Sequence, residues 1–225
     1  AYGSESELKR VVRERFKTQS NFPFWRNIGV LNQSTGVYLG DGYVLTAAHV
    51  GPGIFYLSDG TSYRPIAGTH QGFRNTDGSF ADLCIFRVQV RRGDSISKLP
   101  AVPFGPIRPP RGSYVVLLGA GSGNSHSKSG NFDWNEDYRV RWGLNRVEHE
   151  YDKPIETYKY RTRGFSTEFS NLIHEGQATP GDSGGAVFVY NKRRKRWELG
   201  GLILAVDSVN GVAAFGNQTY IADLT

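Results

Sequence analysis

From Trp25 onward the chain is a succession of short apolar stretches, each broken by Gly, Asp, Ser or Asn. NIGVL, TGVYLG, GYVLTA, GIFYL, DLCIFRV and YVVLLGA form a first series; YRVRWGLNRVE, YKYRTRGFSTEF, GAVFVY, WELGGLILAV and TYIADL form a second. Short apolar runs between turn-forming residues read as strands, and the 28 glycines suit a β-rich chain. Five of the ten prolines fall between Pro100 and Pro110, in PAVPFGPIRPP. Proline fixes φ and removes a ladder donor, so this stretch reads as an extended connector. The sequence thus predicts an all-β molecule of two β-units, residues 25–108 and 109–225, behind an N-terminal extension, residues 1–24. At 225 residues, with four Trp, 12 Tyr and 13 Phe, it has length and aromatic mass for sizeable cores.

The extension holds the best helical signal. In SESELKRVVRERF, Ser4 and Glu7 fit a capping box, and Leu8, Val11, Val12 and Phe16 recur at helical spacing. A short helix packed on the domain by that stripe is expected. No stretch has the roughly 18 apolar residues a membrane helix needs. The chain contains no Met, which suggests that a leader has been removed or omitted. Cys84 is the only cysteine, so no intramolecular disulfide can form. The formal charge is +6, but Lys192, Arg193, Arg194, Lys195 and Arg196 carry five positive charges, and removing them leaves +1. The basicity is one local cluster, weak support for a nucleic-acid-binding protein.

Three stretches suggest other functions and fall short. GAGSGN (119–124) lacks the spacing of a dinucleotide fingerprint and opens no helix, so it reads as a loop. NFDWNED (131–137) alternates Asn131, Asp133, Asn135 and Asp137 like the start of a calcium loop. It lacks the sixth-position Gly, and Trp142 stands where the twelfth-position acid belongs, so a solvated loop is expected and no metal site. Asn32-Gln33-Ser34 and Asn217-Gln218-Thr219 are glycosylation sequons.

GDSGG (181–185) satisfies G-x-S-x-G, the nucleophile-elbow pattern of α/β-hydrolases, which demands a helix after the serine and a catalytic His downstream. Ala186–Tyr190, AVFVY, is strand-like, and His49, His70, His126, His149 and His174 all precede Ser183. That reading is excluded, and the order Asp, His, Ser would need a helical α/β scaffold. The order His, Asp, Ser remains. TAAHV (46–50) follows an apolar strand, DLCIF (82–86) a polar loop, and GDSGG a long second half. Together, over roughly residues 25–225, these blocks resemble the signatures of the chymotrypsin-like (trypsin-family) serine endopeptidases.

The resemblance implies two six-stranded antiparallel β-barrels with the active site in the cleft between them. It gives His49 the role of general base, Asp82 that of orienting the imidazole, and Ser183 that of nucleophile. The backbone N–H groups of Gly181 and Ser183 become the oxyanion hole. No metal or organic cofactor is implied, the partner is a protein or peptide substrate, and family habit suggests a secreted or periplasmic setting. Cys84 alternates off Asp82 and reads as a buried hydrophobe.

The chain departs from the family pattern in several places. Val50 and Thr179 stand where many members have cysteines, so packing alone is expected to hold the triad loops. No activation sequence supplies a new N-terminus for Asp182, so constitutive activity is expected. By alignment Gln177 lies at the base of the specificity pocket and Leu204, Ala205 and Val206 along its wall, which suggests small or uncharged residues, while Asp207 keeps a basic preference open. Leu204 replaces a serine that often bonds the catalytic Asp, implying a less well fixed Asp82. KRRKRW (192–197) reads as a solvated hairpin tip, with Lys192, Arg193, Arg194, Lys195 and Arg196 as a candidate polyanion patch. The alternatives to a competent enzyme are a latent one, or a catalytically silent binding protein that uses this patch.

Overall fold

Ser4 caps a helix, α1 (Glu5–Phe16), its hydroxyl accepting the Glu7 N–H at 3.1 Å; Lys17 ends it in the left-handed conformation, φ 48°. In this computed structural model, which describes residues 3–18, 21–126, 132–135, 139–151, 153–170, 172–207 and 214–225, the stripe read from the sequence is the buried face. Leu8, Val11 and Val12 are buried, each contributing about 1.5–3 kcal/mol. Phe16 meets Trp197 edge-on at 5.0 Å, and Phe24 stacks on Phe188 at 5.2 Å. These contacts fasten the extension to the second unit. No helix among the described residues is long and apolar enough to cross a membrane.

The first unit comprises β1 (Ile28–Leu31), β2 (Ser34–Gly40), β3 (Tyr43–Thr46), β4 (Phe55–Tyr56), β5 (Ser62–Tyr63), β6 (Gln71–Arg74) and β7 (Phe80–Arg87). They form one seven-stranded sheet in the order β5-β4-β1-β2-β3-β7-β6, rather than the six strands expected. The sheet curls on itself. Just beyond β5, Ile66 N–H donates to the Arg87 carbonyl at 2.7 Å and Gln89 N–H to that of Arg64 at 2.8 Å. The chain leaving β5 thus reaches β7, while β6 stands outside that closure, which accounts for the extra strand. Leu31, Tyr38, Val44, Phe55, Phe86 and Ile96 fill the interior.

The second unit begins with β8 (Tyr114–Gly119). Two short hairpins follow its path: β9 (Gly123–His126) with β10 (Phe132–Asn135), and β12 (Ile155–Thr157) with β13 (Tyr160–Thr162). The remaining strands are β11 (Arg141–Glu150), β14 (Gly164–Glu168), β15 (Ala186–Asn191), β16 (Arg196–Val206) and β17 (Gln218–Asp223). With β8 they close a six-stranded barrel, β11-β14-β17-β16-β15-β8. Bulges at Glu148 in β11 and at Gly200 and Leu204 in β16 supply the bends that closure requires. Strand alternation separates two cores. Val115, Leu117, Val187, Ile203 and Ile221 face inward, whereas Val116, Leu118, Phe188, Leu202 and Leu204 join Ile28, Val37 and Leu45 in a shared core.

The Pro-rich connector runs beside β16, Gly105 N–H donating to the Leu199 carbonyl at 2.9 Å and Leu199 N–H to that of Pro103 at 2.8 Å. The loops expected at 119–124 and 131–137 need correction. Gly123 and Asn124 belong to β9, and Phe132–Asn135 form β10, because the two segments are antiparallel partners that pair Asn124 with Trp134. Asn131, Asp137 and residues 127–130 lie outside the described residues. Trp142 is a buried residue of β11, not a loop position.

Candidate active site

TAAHV leaves β3 into a turn, and β7 carries Asp82 beside it, because β3 and β7 pair from Tyr43–Arg87 to Thr46–Cys84. Asp82 is fully buried and its carboxylate holds His49 twice. Oδ2 lies 2.7 Å from His49 Nδ1, and Oδ1 accepts the His49 backbone N–H at 2.9 Å. A carboxylate on Nδ1 fixes the proton there, leaving Nε2 as the ring's acceptor.

Sequence reasoning leaves Asp82 short of a partner opposite Leu204, and the structure corrects this. Thr157 Oγ1, from the β12–β13 hairpin of the second unit, donates to Asp82 Oδ2 at 2.6 Å. Thr162 Oγ1, from the same hairpin, accepts the Asp82 N–H at 2.8 Å. Leu204 is buried in the core shared by the two units. Next to Thr157, the Tyr158 ring lies 5.0 Å from that of His49 at an interplanar angle of 38°. Tyr158 is 86% exposed with φ 52°, a conformation that costs a residue bearing Cβ about 1–2 kcal/mol.

Two consecutive turns shape GDSGG. Asp182 N–H donates to the Thr179 carbonyl at 3.0 Å across Pro180 and Gly181, with Gly181 at φ 91°, the pattern of a type II turn. Gly185 N–H closes the next turn on the Asp182 carbonyl at 2.8 Å, with Ser183 and Gly184 between. The Pro180 carbonyl accepts the Ser122 N–H at 2.8 Å and the Ser122 hydroxyl at 3.2 Å. Carbonyl and N–H point oppositely in a trans peptide, so this grip turns the Gly181 N–H away from Ser122. Neither Gly181 N–H nor Ser183 N–H has an acceptor among the described residues. Ser183 Oγ donates to the Leu204 carbonyl at 3.1 Å.

The loops are held by hydrogen bonds as well as packing, which corrects the expectation drawn from Val50 and Thr179. Asn32 Nδ2 reaches the Val50, Gly51 and Pro52 carbonyls at 3.1, 3.3 and 3.2 Å, bracing the chain after His49. Thr179 Oγ1 donates to the Ser122 carbonyl at 2.6 Å. Asn32 is thus a structural amide, and Asn217, the other sequon residue, is buried.

Asp182 receives the Gly121 N–H at 2.7 Å on Oδ1 and the Thr179 N–H at 2.8 Å on Oδ2. Burial raises its pKa above the usual carboxylate range, and these hydrogen bonds partly counter the rise. Thr179 Oγ1 adds a further hydrogen bond to Oδ2 at 3.1 Å. Thr35 links the units at the same place: its N–H donates to the Ser183 carbonyl at 3.0 Å and its hydroxyl to the Gly181 carbonyl at 2.9 Å.

Gln177 is buried; its Nε2 donates to the Ala178 carbonyl at 3.3 Å and its Oε1 has no hydrogen-bond partner among the described residues. Ala178 N–H bonds Thr219 Oγ1 at 3.0 Å, and Thr219 pairs with Val206, so Gln177 lies near the β16 end that carries Leu204, Ala205 and Val206. Asp207 accepts the Tyr220 hydroxyl at 3.2 Å. Burial and the Asp207 charge push that phenol up to about 12. Burial, then the Asp82 charge, pushes the Cys84 thiol up to about 12.

Lys192, Arg193, Arg194 and Lys195 form the β15–β16 hairpin tip and Arg196 begins β16. Arg194 and Arg196 pair with the buried Glu198 at 3.5 and 3.3 Å, leaving Lys192, Arg193 and Lys195 with no acidic partner among the described residues.

Sequence reasoning missed Thr157, Thr162, Tyr158 and Ser122, and it read Asn32 only as a sequon. The only signal was the alternation of Thr157 and Thr162 about a two-residue turn, and nothing local says that this hairpin reaches β7.

The family model of the trypsin-like peptidase domain matches residues 34–194. No curated protein matches the chain in sequence. The fold is similar to an inactive form of a serine-to-alanine mutant of Rv3671c from M. tuberculosis H37Rv, with a TM-score of 0.59 and 12% identity over 100% of this chain and 89% of that one. It is also similar to the NS6 protease from murine norovirus 1, with a TM-score of 0.55 and 15% identity over 91% of this chain and 93% of that one.

Proposed function

The chain belongs to the trypsin-like peptidase domain family, and from that premise we propose that it is a serine endopeptidase working through Ser183, His49 and Asp82. The observation that carries this reading is the double hold of the buried Asp82 on His49, at 2.7 Å to Nδ1 and 2.9 Å to the backbone N–H. A ring so held keeps its proton on Nδ1 and offers Nε2 as a base.

Ser183 Oγ leaves the Leu204 carbonyl, gives its proton to His49 Nε2 and attacks the carbonyl carbon of the substrate peptide. The tetrahedral oxyanion forms beside the Gly181 and Ser183 N–H groups, donors with no acceptor among the described residues. One such donor is worth about 3 kcal/mol in the transition state. The imidazolium, stabilised by Asp82, passes the proton to the leaving amine, and the acyl group stays on Ser183 as an ester. Water, deprotonated by His49, repeats the addition, and collapse returns the proton to Ser183.

Hydrolysis of casein and of quenched peptides tests the reading, with Ser183→Ala and His49→Ala as controls. Either substitution should lower kcat by at least about 10³-fold. Activity that survives Ser183→Ala would refute it.

A further inference from the structure

Past Phe188 the strands β8 and β15 part. Their pairing runs from Ala186–Leu118 to Phe188–Val116, whereas β15 continues beside β16 to Asn191. The end of α1 lies at the opening, held by Phe16 against Trp197 and by the Thr18 hydroxyl, which donates to that of Tyr190 at 3.1 Å. The result is a groove of about 620 Å³. Its walls include Arg15 and Lys17 from the end of α1, Ser113 and Tyr114 from the β8 side, and Tyr190 and Lys192 from the β15 side.

The charge of the groove is one-sided. None of its lining residues is acidic, and Arg15, Lys17 and Lys192 are exposed, with no ion-pair partner among the described residues. The acids beside them in the chain are already taken, Glu14 by Arg10 and Glu198 by Arg194 and Arg196. Cations at the end of a helix favour its dipole, but Lys192 belongs to the hairpin and adds its charge to the same opening. Like charges gathered in a concave site focus a field that attracts anions. The surroundings are also braced. Asn191 Oδ1 accepts the Arg194 N–H at 3.0 Å and its Nδ2 donates to Glu198, while the Arg15 guanidinium lies 4.0 Å from the centre of the Tyr114 ring. A stacked guanidinium keeps its N–H edge for acceptors in its own plane.

The lining narrows the choice of anion. No large apolar side chain is exposed in the groove, so it has nothing to sink into a lipid surface. Its rings are no open platforms for stacking bases, because Arg15 covers Tyr114 and Tyr190 packs 5.3 Å from Trp197 and 6.3 Å from Phe16. What the groove offers is three cations and the hydroxyls of Ser113, Tyr114 and Tyr190, the last keeping its own hydrogen after accepting from Thr18. Sulfate groups on a polyhydroxylated chain match both.

We infer that this groove, extended by Arg193 and Lys195 at the hairpin tip, is a binding site for a sulfated polysaccharide. Arg194 and Arg196, paired with Glu198, take no part. A strand rises about 3.3 Å per residue, so β15 sets Lys192 on the order of 20 Å from Ala186 and the Ser183 turn. The site therefore retains the protein on an anionic matrix and leaves Ser183 free. It goes beyond the serine endopeptidase reading and does not depend on it.

The test is the affinity of the whole protein for fluorescent dextran sulfate in about 0.15 M NaCl. Unsulfated dextran, oligo-dT, poly-Glu and phosphatidylglycerol vesicles, matched in total charge where charged, run alongside. The variants are Arg15→Gln/Lys17→Gln in the groove, Lys192→Ser/Arg193→Ser/Lys195→Ser at the tip, and a control on the first unit, Arg91→Gln/Arg92→Gln, that loses the same charge as the groove variant. The parent should bind dextran sulfate, leave dextran unbound and hold the other anions at least about tenfold more weakly. The groove and tip variants should each lose about tenfold in affinity and the control less than about twofold, all with the parent's Tm. A parent that does not bind dextran sulfate, full binding by the groove variant, or an equal loss in the control would overturn the site. Tighter binding of oligo-dT, poly-Glu or vesicles would overturn the sulfated polysaccharide as its occupant. Binding is read without hydrolysis, so an inactive parent would count against the endopeptidase reading alone.

Discussion

The Thr157 hydroxyl lies 2.6 Å from Asp82 Oδ2 and donates to it from the opposite half of the molecule. A hydrogen bond to a buried charged group contributes about 1.5–3 kcal/mol. If it helps Asp82 hold the imidazolium, Thr157→Val should lower kcat about 10–100-fold while leaving KM within about twofold. Thr157→Ser, which keeps the hydroxyl, should restore most of the rate. Equal losses in both variants would assign Thr157 to packing.

Burial raises the Asp182 carboxyl above its ordinary range, so the folded state binds that proton more tightly than the unfolded chain. The stability this supplies is full below the ordinary value of 3.8 and is lost as pH rises through the raised value. Other acids titrate in the same range, but they cancel in a difference. In urea unfolding, the stability of the parent minus that of Asp182→Asn should be greatest at the acid end and fall as pH rises. A difference that rises with pH would contradict the assignment.

Gly184 has φ 86°, and a Cβ there would strike the carbonyl oxygen of Thr35, which accepts the Thr46 hydroxyl at 2.8 Å and belongs to the residue whose N–H and hydroxyl bond the Ser183 turn. Gly184→Ala should cost more than about 4 kcal/mol. Gly78 has nearly the same φ, 87°, but a Cβ there meets nothing within 4 Å, so Gly78→Ala should cost only about 1–2 kcal/mol. Denaturant midpoints of the two variants separate clash from backbone strain.

Much of the fold was legible because each strand declares itself locally. NIGVL, GYVLTA, DLCIFRV and GAVFVY all contain strands of the structure, and the Ser4 cap and Leu8–Val11–Val12 stripe made α1 readable. NFDWNED misled, since its polar composition says loop while four of its residues pair with β9, an earlier segment of equally polar composition. The extra strand of the first unit, β6, was equally hidden, because Gln71–Arg74 is four exposed residues with no apolar run to mark it. At the site, His49 and Asp82 stood out by motif. The contacts that support them join Asn32 to Val50, Ser122 to Pro180 and Thr157 to Asp82, and none leaves a periodicity to read.

Cys84 is fully buried and its thiol is pushed up to about 12, so the reactive thiolate is scarce at neutral pH. Native protein should take up no iodoacetamide over a period in which urea-unfolded protein is fully alkylated. Intact mass reads both states, and rapid native labelling would place Cys84 at the surface.

An activated Ser183 is tested most directly by intact-mass labelling with a fluorophosphonate, which requires the nucleophile, the base and the oxyanion donors together. The protein as it stands should take up one adduct, and Ser183→Ala none. A parent that stays unmodified, or an adduct that persists on Ser183→Ala, would contradict the assignment of Ser183 as the nucleophile that His49 and Asp82 serve.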